Sequence, residues 1–402
     1  MIQTHNAVRL EYGIYRDGDN NLDDAQSATI GQALQTSGRD RAISFAIEDT
    51  TARRGLLPEH YLRTESYDVD GGHPHNLTVE PPKDMSARAT LASFVARTLD
   101  AAQKHHAAAT WIELVDHGGG DAGGLESDMT GGFMAEDDIA GAIRDGIALH
   151  ARSHPEDAGR RIDGVVANQC LMSTLGFADA LSHAGVRYLA ASPEVMLAPG
   201  VPSAAAEAIE KHLDDPASMA DALTAVTMHQ RYGEPDSTWH PAAAFDVLDL
   251  DPQKIAHMDG AVKSLNDAIV TGARDRSTRA EIRADAREVD GMARFTKHTM
   301  PWHADRPAGT LYGTFADDAS LPDDLRTAAR DARDAANDLV LSHRESADFQ
   351  PYGDAAYSDA TGPTVHLPLT RNQIDPWKPQ VAETDNAFYK AVDGPQLARA
   401  VA

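Results

Sequence analysis

Apolar and polar positions in the first half of the chain change repeatedly between a period of two and a helical period. Residues 8–15 alternate as a strand does and stop at a polar run, after which 24–36 has the apolar spacing of a helix. Strands that alternate with helices indicate an α/β fold, with a mainly parallel sheet between two helical layers. The predicted strands are 8–15, 42–48, 61–69, 110–116, 162–169 and 186–191, and the predicted helices are 24–36, 86–105, 136–150 and 173–183.

The second half of the chain is dominated by helical spacing. Segments 241–247 and 364–369 add two possible edge strands. We therefore expect an α/β domain over 1–250 and a helical C-terminal region over 251–402 that packs on it. The helices predicted in this half are 204–213, 218–231, 254–273 and 321–343.

The composition narrows the classes of partner. The chain has 62 acidic and 36 basic residues, a net charge of −26, and such a surface repels nucleic acid and anionic membranes while attracting basic peptides. The alternative is that the charge serves solubility, as in a salty cytoplasm. Its first residues have neither a basic nor an apolar leader segment, and no apolar run approaches the ~18 residues of a membrane span. We expect a cytoplasmic protein with no nucleic-acid or membrane partner; the oligomeric state stays open.

Cys170 is the only cysteine, which excludes intramolecular disulfides and Cys-rich zinc sites. It follows the apolar strand 162–169, and His117 follows the apolar strand 110–116, where a run of three glycines begins. The histidine precedes the cysteine by 53 residues, close to the spacing of about 50 found in caspase-type proteases. Because parallel α/β sheets gather their sites at the carboxyl ends of strands, the two side chains are expected to meet.

A cysteine beside a histidine predicts nucleophilic catalysis. His117 would take the thiol proton and later give it to a leaving amine, while the N–H groups of Gly118 and Cys170 would stabilise the oxyanion. The alternative for Cys170 is the usual one for a free cysteine, a small buried apolar side chain.

Three motifs resemble those of the clostripain family of cysteine peptidases, in the caspase, legumain and gingipain group. They are YRDGDNNL at 15–22, DHGGG at 116–120 and CLMS at 170–173, with a weaker likeness at 186–192, 244–248 and 365–368. The resemblance implies a caspase-like three-layer sandwich with a helical C-terminal elaboration, and an endopeptidase that uses a Cys170–His117 dyad. Peptides or proteins would be its substrates.

One position departs from the family pattern. Relatives that cut after Arg or Lys usually carry Asp two residues before the cysteine, whereas this chain has Asn168. An amide can bind a guanidinium but cannot neutralise it, which costs about 1.5–3 kcal/mol in a buried pocket. We still predict cleavage after Arg or Lys, with Glu194 as the compensating carboxylate. The alternative for Glu194 is an ordinary loop carboxylate.

The N-terminal motif also resembles the start of a calcium loop, with Asp17, Asp19, Asn21 and Asp23 at alternate positions. It lacks the glycine and the distal glutamate of such a loop, so an Asx turn with a helix cap is the alternative. No cofactor is required by the predicted chemistry, and calcium is the one candidate.

Two other functions compete with the peptidase. A serine esterase would share the His-Gly-Gly-Gly run, but it needs Gly-x-Ser-x-Gly, which the chain lacks. A catalytically weak or inactive protein with a protease fold, acting as a binding scaffold, remains as the second function.

Overall fold

A nine-stranded sheet is the centre of the computed structural model, which describes residues 8–52, 61–198, 200–229, 244–289, 304–345, 362–369 and 386–401. In chain order the strands are β1 (Leu10–Gly18), β2 (Ile43–Thr51), β3 (Arg63–Asp70), β4 (His73–Glu80), β5 (Ala109–Val115), β6 (Gly124–Ser127), β7 (Gly132–Met134), β8 (Gly164–Asn168), β9 (Tyr188–Ala191), β10 (Ala244–Asp249), β11 (Asp305–Pro307), β12 (Val340–Glu345) and β13 (Thr364–His366).

The large sheet has the order β12-β10-β9-β8-β5-β1-β2-β3-β4. Its five middle strands, from β9 to β2, are parallel, and the antiparallel pairs β10–β12 and β3–β4 extend it at the two edges. β6 pairs with β7 and β11 pairs with β13 in two small antiparallel sheets. The predicted mainly parallel α/β sheet is confirmed.

Helices cover both faces of the sheet. On β5 the side chains of Ile112 and Leu114 enter one apolar core, and those of Trp111 and Val115 enter the other. The first core is closed by α3–α5 and α8–α13 and the second by α2, α6 and α7, which makes three layers. The helices are α1 (Asp23–Gln26), α2 (Ala28–Arg39), α3 (Arg88–His105), α4 (Glu136–Ser153), α5 (Leu175–His183), α6 (Ala204–Lys211), α7 (Pro216–His229), α8 (Pro252–Gly272), α9 (Arg276–Glu288), α10 (Ala308–Asp317), α11 (Asp323–Asp338), α12 (Ala387–Ala391) and α13 (Gly394–Val401).

The predicted helix 321–343 extends beyond the C-terminal end of the observed helix. α11 ends at Asp338, and the following residues form β12, which pairs with β10. β10 is consequently an inner strand and not an edge strand, and the sheet draws on the second half of the chain. The predicted strand 241–247 begins outside the described residues. The division of the chain near residue 250 stays a prediction.

The antiparallel strand β4 is the other departure from the sequence-based expectation. It lies at the outer edge of the sheet and all eight of its residues are exposed, so it has no buried apolar face, and the alternation of Leu77 and Val79 alone is too short to reveal a strand. Within the described ranges, the helices include none with the length and apolar character to cross a membrane.

Candidate active site

His117 and Cys170 follow the carboxyl ends of β5 and β8, which are neighbouring parallel strands. The two ends are tied together beyond the last ladder pair. The backbone N–H of Asp116 donates to the carbonyl of Asn168 at 3.5 Å, and Gln169 Nε2 donates to the carbonyl of His117 at 2.8 Å. The fold therefore brings the backbone of the predicted base next to that of the predicted nucleophile.

Gly118 is the point of closest approach between the two strand ends. A Cβ at this position would lie 2.2 Å from the Cys170 carbonyl oxygen and 3.0 Å from its nitrogen. At Gly119 the nearest atom to an added Cβ is 3.4 Å away. The first glycine of the run is required by packing, because any side chain would push the histidine loop off the Cys170 backbone.

The thiol of Cys170 is partly buried and faces the backbone of Met196. Met196 N–H donates to Sγ at 3.3 Å, and Sγ lies 3.6 Å from the Met196 carbonyl oxygen. Burial raises the pKa of the thiol to about 11; the Met196 contact opposes this, and the charges of Glu194 and Asp116 add to it. In this conformation the thiol is protonated at neutral pH.

The imidazole of His117 contacts a residue that the sequence suggested for another role. Its Nε2 lies 2.8 Å from Oδ1 of Asn21. Burial lowers the pKa of His117, against the opposing charges of Glu126 and Asp128. Among the described residues no hydrogen bond joins the ring to Cys170 Sγ.

Asn168 is buried at the end of β8, and its side chain is fully engaged in a polar chain. Nδ2 donates to Glu113 Oε1 at 2.8 Å, and Oδ1 accepts from the Val201 N–H at 3.1 Å. The other Glu113 oxygen accepts from the Tyr12 hydroxyl at 2.9 Å. Burial raises the pKa of Glu113 to about 7, although the bonds from Asn168 and Tyr12 oppose it.

Glu113 was missed by the sequence analysis. The signal was a single carboxylate in the apolar run of β5, on the face that otherwise carries Trp111 and Val115. A buried carboxylate of this kind needs polar partners, and an Asn two residues before the cysteine is one of them.

Glu194 lies beside the nucleophile loop and is fully buried. Its carbonyl accepts from the Leu171 N–H at 3.0 Å, and its Oε2 accepts from the Val195 N–H at 3.2 Å. Its charge acts on the Cys170 thiol. Glu194 is thus close to Cys170, and its role as a substrate-binding carboxylate stays a prediction.

The loop that carries Cys170 is held from behind by distant parts of the chain. Ser173 Oγ donates to Asp246 Oδ2 at 2.5 Å, and the other Asp246 oxygen is 2.5 Å from His343 Nδ1. The carbonyl of Ser173 accepts from the Thr364 N–H at 2.8 Å. Strands β10, β12 and β13 therefore all support the segment after the cysteine.

The four residues of the calcium-like motif do not form one ligand set. Asp19 accepts from the Ser127 hydroxyl at 2.6 Å, in the β6–β7 hairpin. Asp23 binds Arg16 at 3.0 Å, and Asn21 binds His117 as described above. Asp17 accepts from the Asp19 backbone N–H at 3.1 Å, and its charge also acts on the buried Asp116. Burial first and then the Asp19 charge raise the pKa of Asp17 to about 8.

Comparison with known proteins gives a fold but no sequence family. No protein-family model matches the chain, and no curated protein matches it in sequence. The structure of a secreted C11 cysteine protease from Bacteroides thetaiotaomicron, "iotapain", is similar with a TM-score of 0.63 at 15% identity, covering 96% of this chain and 99% of that one. An inactive zymogen C11 protease from Parabacteroides distasonis gives 0.62 at 16% identity, covering 95% and 97%.

A third similar structure is that of a secreted C11 cysteine protease from Bacteroides thetaiotaomicron in complex with an irreversible peptide inhibitor, with a TM-score of 0.60 at 13% identity and coverages of 96% and 99%. The fold is that of the C11, or clostripain-like, cysteine proteases, a caspase-like α/β sandwich. The resemblance noted in the sequence is confirmed at the level of structure. The cytoplasmic location expected from the sequence differs from the secretion described for two of these proteins and stays a prediction.

Proposed function

We propose that the protein is a cysteine endopeptidase in which Cys170 is the nucleophile and His117 is the general base. The observation that carries the proposal is the packing of Gly118 against the Cys170 backbone. It sets the histidine loop and the nucleophile side by side at adjacent strand ends. The C11 fold supports the same reading, since one similar structure holds an irreversible peptide inhibitor.

The chemistry begins with a neutral thiol and a neutral imidazole. With a thiol pKa of about 11 and a lowered histidine pKa, a preformed thiolate–imidazolium pair is disfavoured. His117 therefore takes the proton as Sγ attacks the peptide carbonyl carbon, and the carbonyl electrons move to oxygen. The Met196 N–H, already 3.3 Å from Sγ, stabilises the sulfur as it becomes negative.

The oxyanion would be met by the backbone N–H groups of Gly118 and Cys170. Neither donates to another described residue, and they belong to the two segments that pack against each other. Collapse of the tetrahedral species expels the amine, which takes its proton from His117. Water then attacks the thioester, with His117 again accepting the proton, and releases the carboxylate product and the free thiol.

We further propose a preference for Arg or Lys before the cut bond. Asn168 carries no charge, but Glu113 lies against it and Glu194 lies beside the nucleophile loop, which leaves two carboxylates close to the pocket position. The specificity should consequently depend on these carboxylates and not on Asn168 alone.

The second candidate function is a protease-fold protein without turnover. The observation that favours it is the separate engagement of the two catalytic side chains, with the imidazole bound to Asn21 and the thiol bound to Met196. Activation would require His117 Nδ1 to face the sulfur.

Calcium has no step in this mechanism. The ion takes six to eight oxygen ligands that surround one position, whereas the side-chain oxygens of the predicted loop contact different parts of the protein. Asn21 and Asp23 are directed to His117 and Arg16. A calcium requirement stays a prediction.

The deciding experiment measures hydrolysis of a fluorogenic peptide library with every amino acid before the scissile bond. Wild type, Cys170→Ala and His117→Ala are compared. We expect turnover in the wild type only, concentrated on Arg and Lys peptides. Full activity in Cys170→Ala would reject the mechanism, and turnover without enrichment of Arg or Lys would reject the specificity alone.

A further inference from the structure

Two imidazole nitrogens lie close to one carboxylate oxygen at the C-terminal end of α4. Oδ1 of Asp100 lies 2.6 Å from His150 Nδ1 and 3.4 Å from His154 Nε2. One ligand atom from each residue falls within 4.8 Å of those from the other two. The three side chains thus already point at a common position.

The local structure explains this convergence. His150 lies in the last turn of α4, and His154 directly follows the helix and donates its backbone N–H to the His150 carbonyl at 2.8 Å, while Asp100 belongs to the adjacent α3. The two rings stack with centroids 5.0 Å apart. The His150 side chain is fully buried, whereas 32% of His154 and 46% of Asp100 are exposed, which gives an ion a route in from solvent.

The groups behind the two rings match the surroundings of metal-bound histidines. Such a histidine almost always donates its other ring N–H to a carboxylate, a carbonyl or water. Here the other nitrogen of His150 lies 3.4 Å from Asp157, and that of His154 lies 3.3 Å from Glu156. Both rings are therefore backed by carboxylates from the same short turn.

Those carboxylates are themselves held in place. Arg160 Nε donates to Asp157 at 2.5 Å, and Gln103 Nε2 donates to Glu156 at 2.8 Å. The ligand residues are therefore held by Asp157 and Glu156, and these two carboxylates are held in turn by Arg160 and Gln103.

We propose that Asp100, His150 and His154 form a binding site for a zinc-like transition-metal ion. Bonds of 2.0–2.1 Å in a tetrahedron place ligand atoms about 3.3 Å apart, so the exposed Asp100 needs to withdraw only slightly. Two imidazoles favour Zn²⁺, Co²⁺ or Ni²⁺ over Ca²⁺ and Mg²⁺, which prefer oxygen. Water from the exposed side supplies the fourth ligand.

A bound ion would fasten α3 to the end of α4, and through the contacts of the two rings with Asp157 and Glu156 it would also hold the turn 155–157. This turn leads into β8 and Cys170, but the site lies at the opposite end of α4 from the candidate active site. The proposal does not depend on peptidase activity. Because the ion binds the folded chain, it raises the free energy of unfolding in proportion to the logarithm of its concentration.

A competing group lies elsewhere in the described residues. Asp121, Asp305 and His366 also bring three ligand atoms within 4.8 Å, with His366 Nδ1 at 3.1 Å from Asp305. It offers one imidazole in place of two, and all three residues are buried. The experiment has to separate the two groups.

The test is a titration of the chelator-treated full-length protein with Co²⁺, followed by its visible absorption, and with Zn²⁺ by calorimetry. We expect one tight equivalent with the intense spectrum of a tetrahedral site. His154→Ala and Asp100→Asn should each raise the dissociation constant beyond the about 10- to 100-fold typical of losing an outer carboxylate, and Asp157→Asn should fall within that range.

His257→Ala is the matched control, since His257 is also a helix histidine facing a carboxylate, Asp331 at 3.6 Å, and both are well exposed. It should bind as the wild type does. A wild type without a saturable equivalent would overturn the proposal, as would unchanged affinity in His154→Ala. So would binding that survives His154→Ala and disappears in His366→Ala. Circular dichroism and thermal unfolding without metal check that each variant folds.

Discussion

The side-chain oxygen of Asn21 lies 2.8 Å from Nε2 of His117. An amide oxygen can only accept a hydrogen bond, so in this contact Nε2 carries the proton and the lone pair of the neutral ring is on Nδ1. Asn21 therefore fixes both the tautomer and the orientation of the proposed base. It is a positioning residue, since it acts through His117.

Replacing Asn21 with Ala should release the histidine ring. We expect kcat to fall about 10- to 100-fold, the loss that small misplacements of a catalytic group cause, while KM changes little. The pH profile of kcat should shift as well, because the ring loses its tautomer preference. Asn337→Ala, an exposed position on α11, serves as the control. An unchanged kcat and pH profile would show that the contact has no part in catalysis.

The rate at which Cys170 is alkylated should depend on pH as expected for a thiol with a raised pKa. Since burial moves its pKa to about 11, iodoacetamide labelling of the protein without substrate should accelerate steadily from pH 7 to 10. His117→Ala should leave this profile nearly unchanged, although it abolishes peptide turnover. Mass spectrometry gives the rate at this single cysteine. A rate that reaches a plateau near neutral pH would instead indicate a preformed thiolate.

The first two of the three glycines after His117 should differ in their tolerance of a side chain. Gly118→Ala places a methyl 2.2 Å from the Cys170 carbonyl oxygen and should destabilise the protein by about 1–3 kcal/mol and abolish activity. In Gly119→Ala the nearest atom is 3.4 Å away, so stability and turnover should change little. Urea unfolding and peptide assays measure both effects. Equal behaviour of the two variants would contradict the proposed packing of the histidine loop on the nucleophile.

A carboxylate introduced at position 168 should be harmful in this chain. Asn168→Asp would set a second carboxylate where Asn168 now donates to Glu113 at 2.8 Å. Loss of that hydrogen bond within a buried site should cost about 1–3 kcal/mol of unfolding free energy. Adding Glu113→Gln should recover much of the loss, because the amide can donate to the new Asp. Additive effects of the two substitutions in denaturant unfolding would rule out the coupling.

The pair His343 and Asp246 should make the stability depend on pH. Burial alone would lower the histidine pKa, but the hydrogen bond and charge of Asp246 outweigh it and raise the pKa to about 9. The unfolded value is about 6.5, so the stabilisation is complete below pH 6.5 and is lost as the pH rises through 9. The stability gap between wild type and His343→Gln should therefore narrow from pH 6 to pH 10. A gap for His343→Gln that stays constant from pH 6 to pH 10 would refute the link.

The sequence predicts the middle of the fold best. β5 and β8 are recognisable because both of their faces are buried, so their apolar runs are continuous, and their order implies a parallel sheet. The positions of His117 and Cys170 at the ends of those runs follow from the same signal. Their separate hydrogen bonds do not, because they depend on Asn21 and on Met196.

The edges of the fold and the polar contacts are harder to predict. β4 is exposed on every residue, with only Leu77 and Val79 as alternating apolar positions, and β12 follows α11 after the single residue Leu339, with no glycine or proline to mark the boundary. The contact between Glu113 and Asn168 cannot be predicted until β5 and β8 are known to be neighbouring strands. Propensity and period describe local structure, whereas these features are set by residues about 50 to 100 positions away.

The supports behind Cys170 have a consequence for the order of events during synthesis. Strands β5 and β8 leave the ribosome early, but Asp246, His343 and Thr364, which hold Ser173, come much later. A nascent chain that stops before Thr364 has its nucleophile but lacks part of what secures the loop behind it. The assembly of the candidate active site is in this way deferred until Thr364, 194 residues after the nucleophile, has been translated.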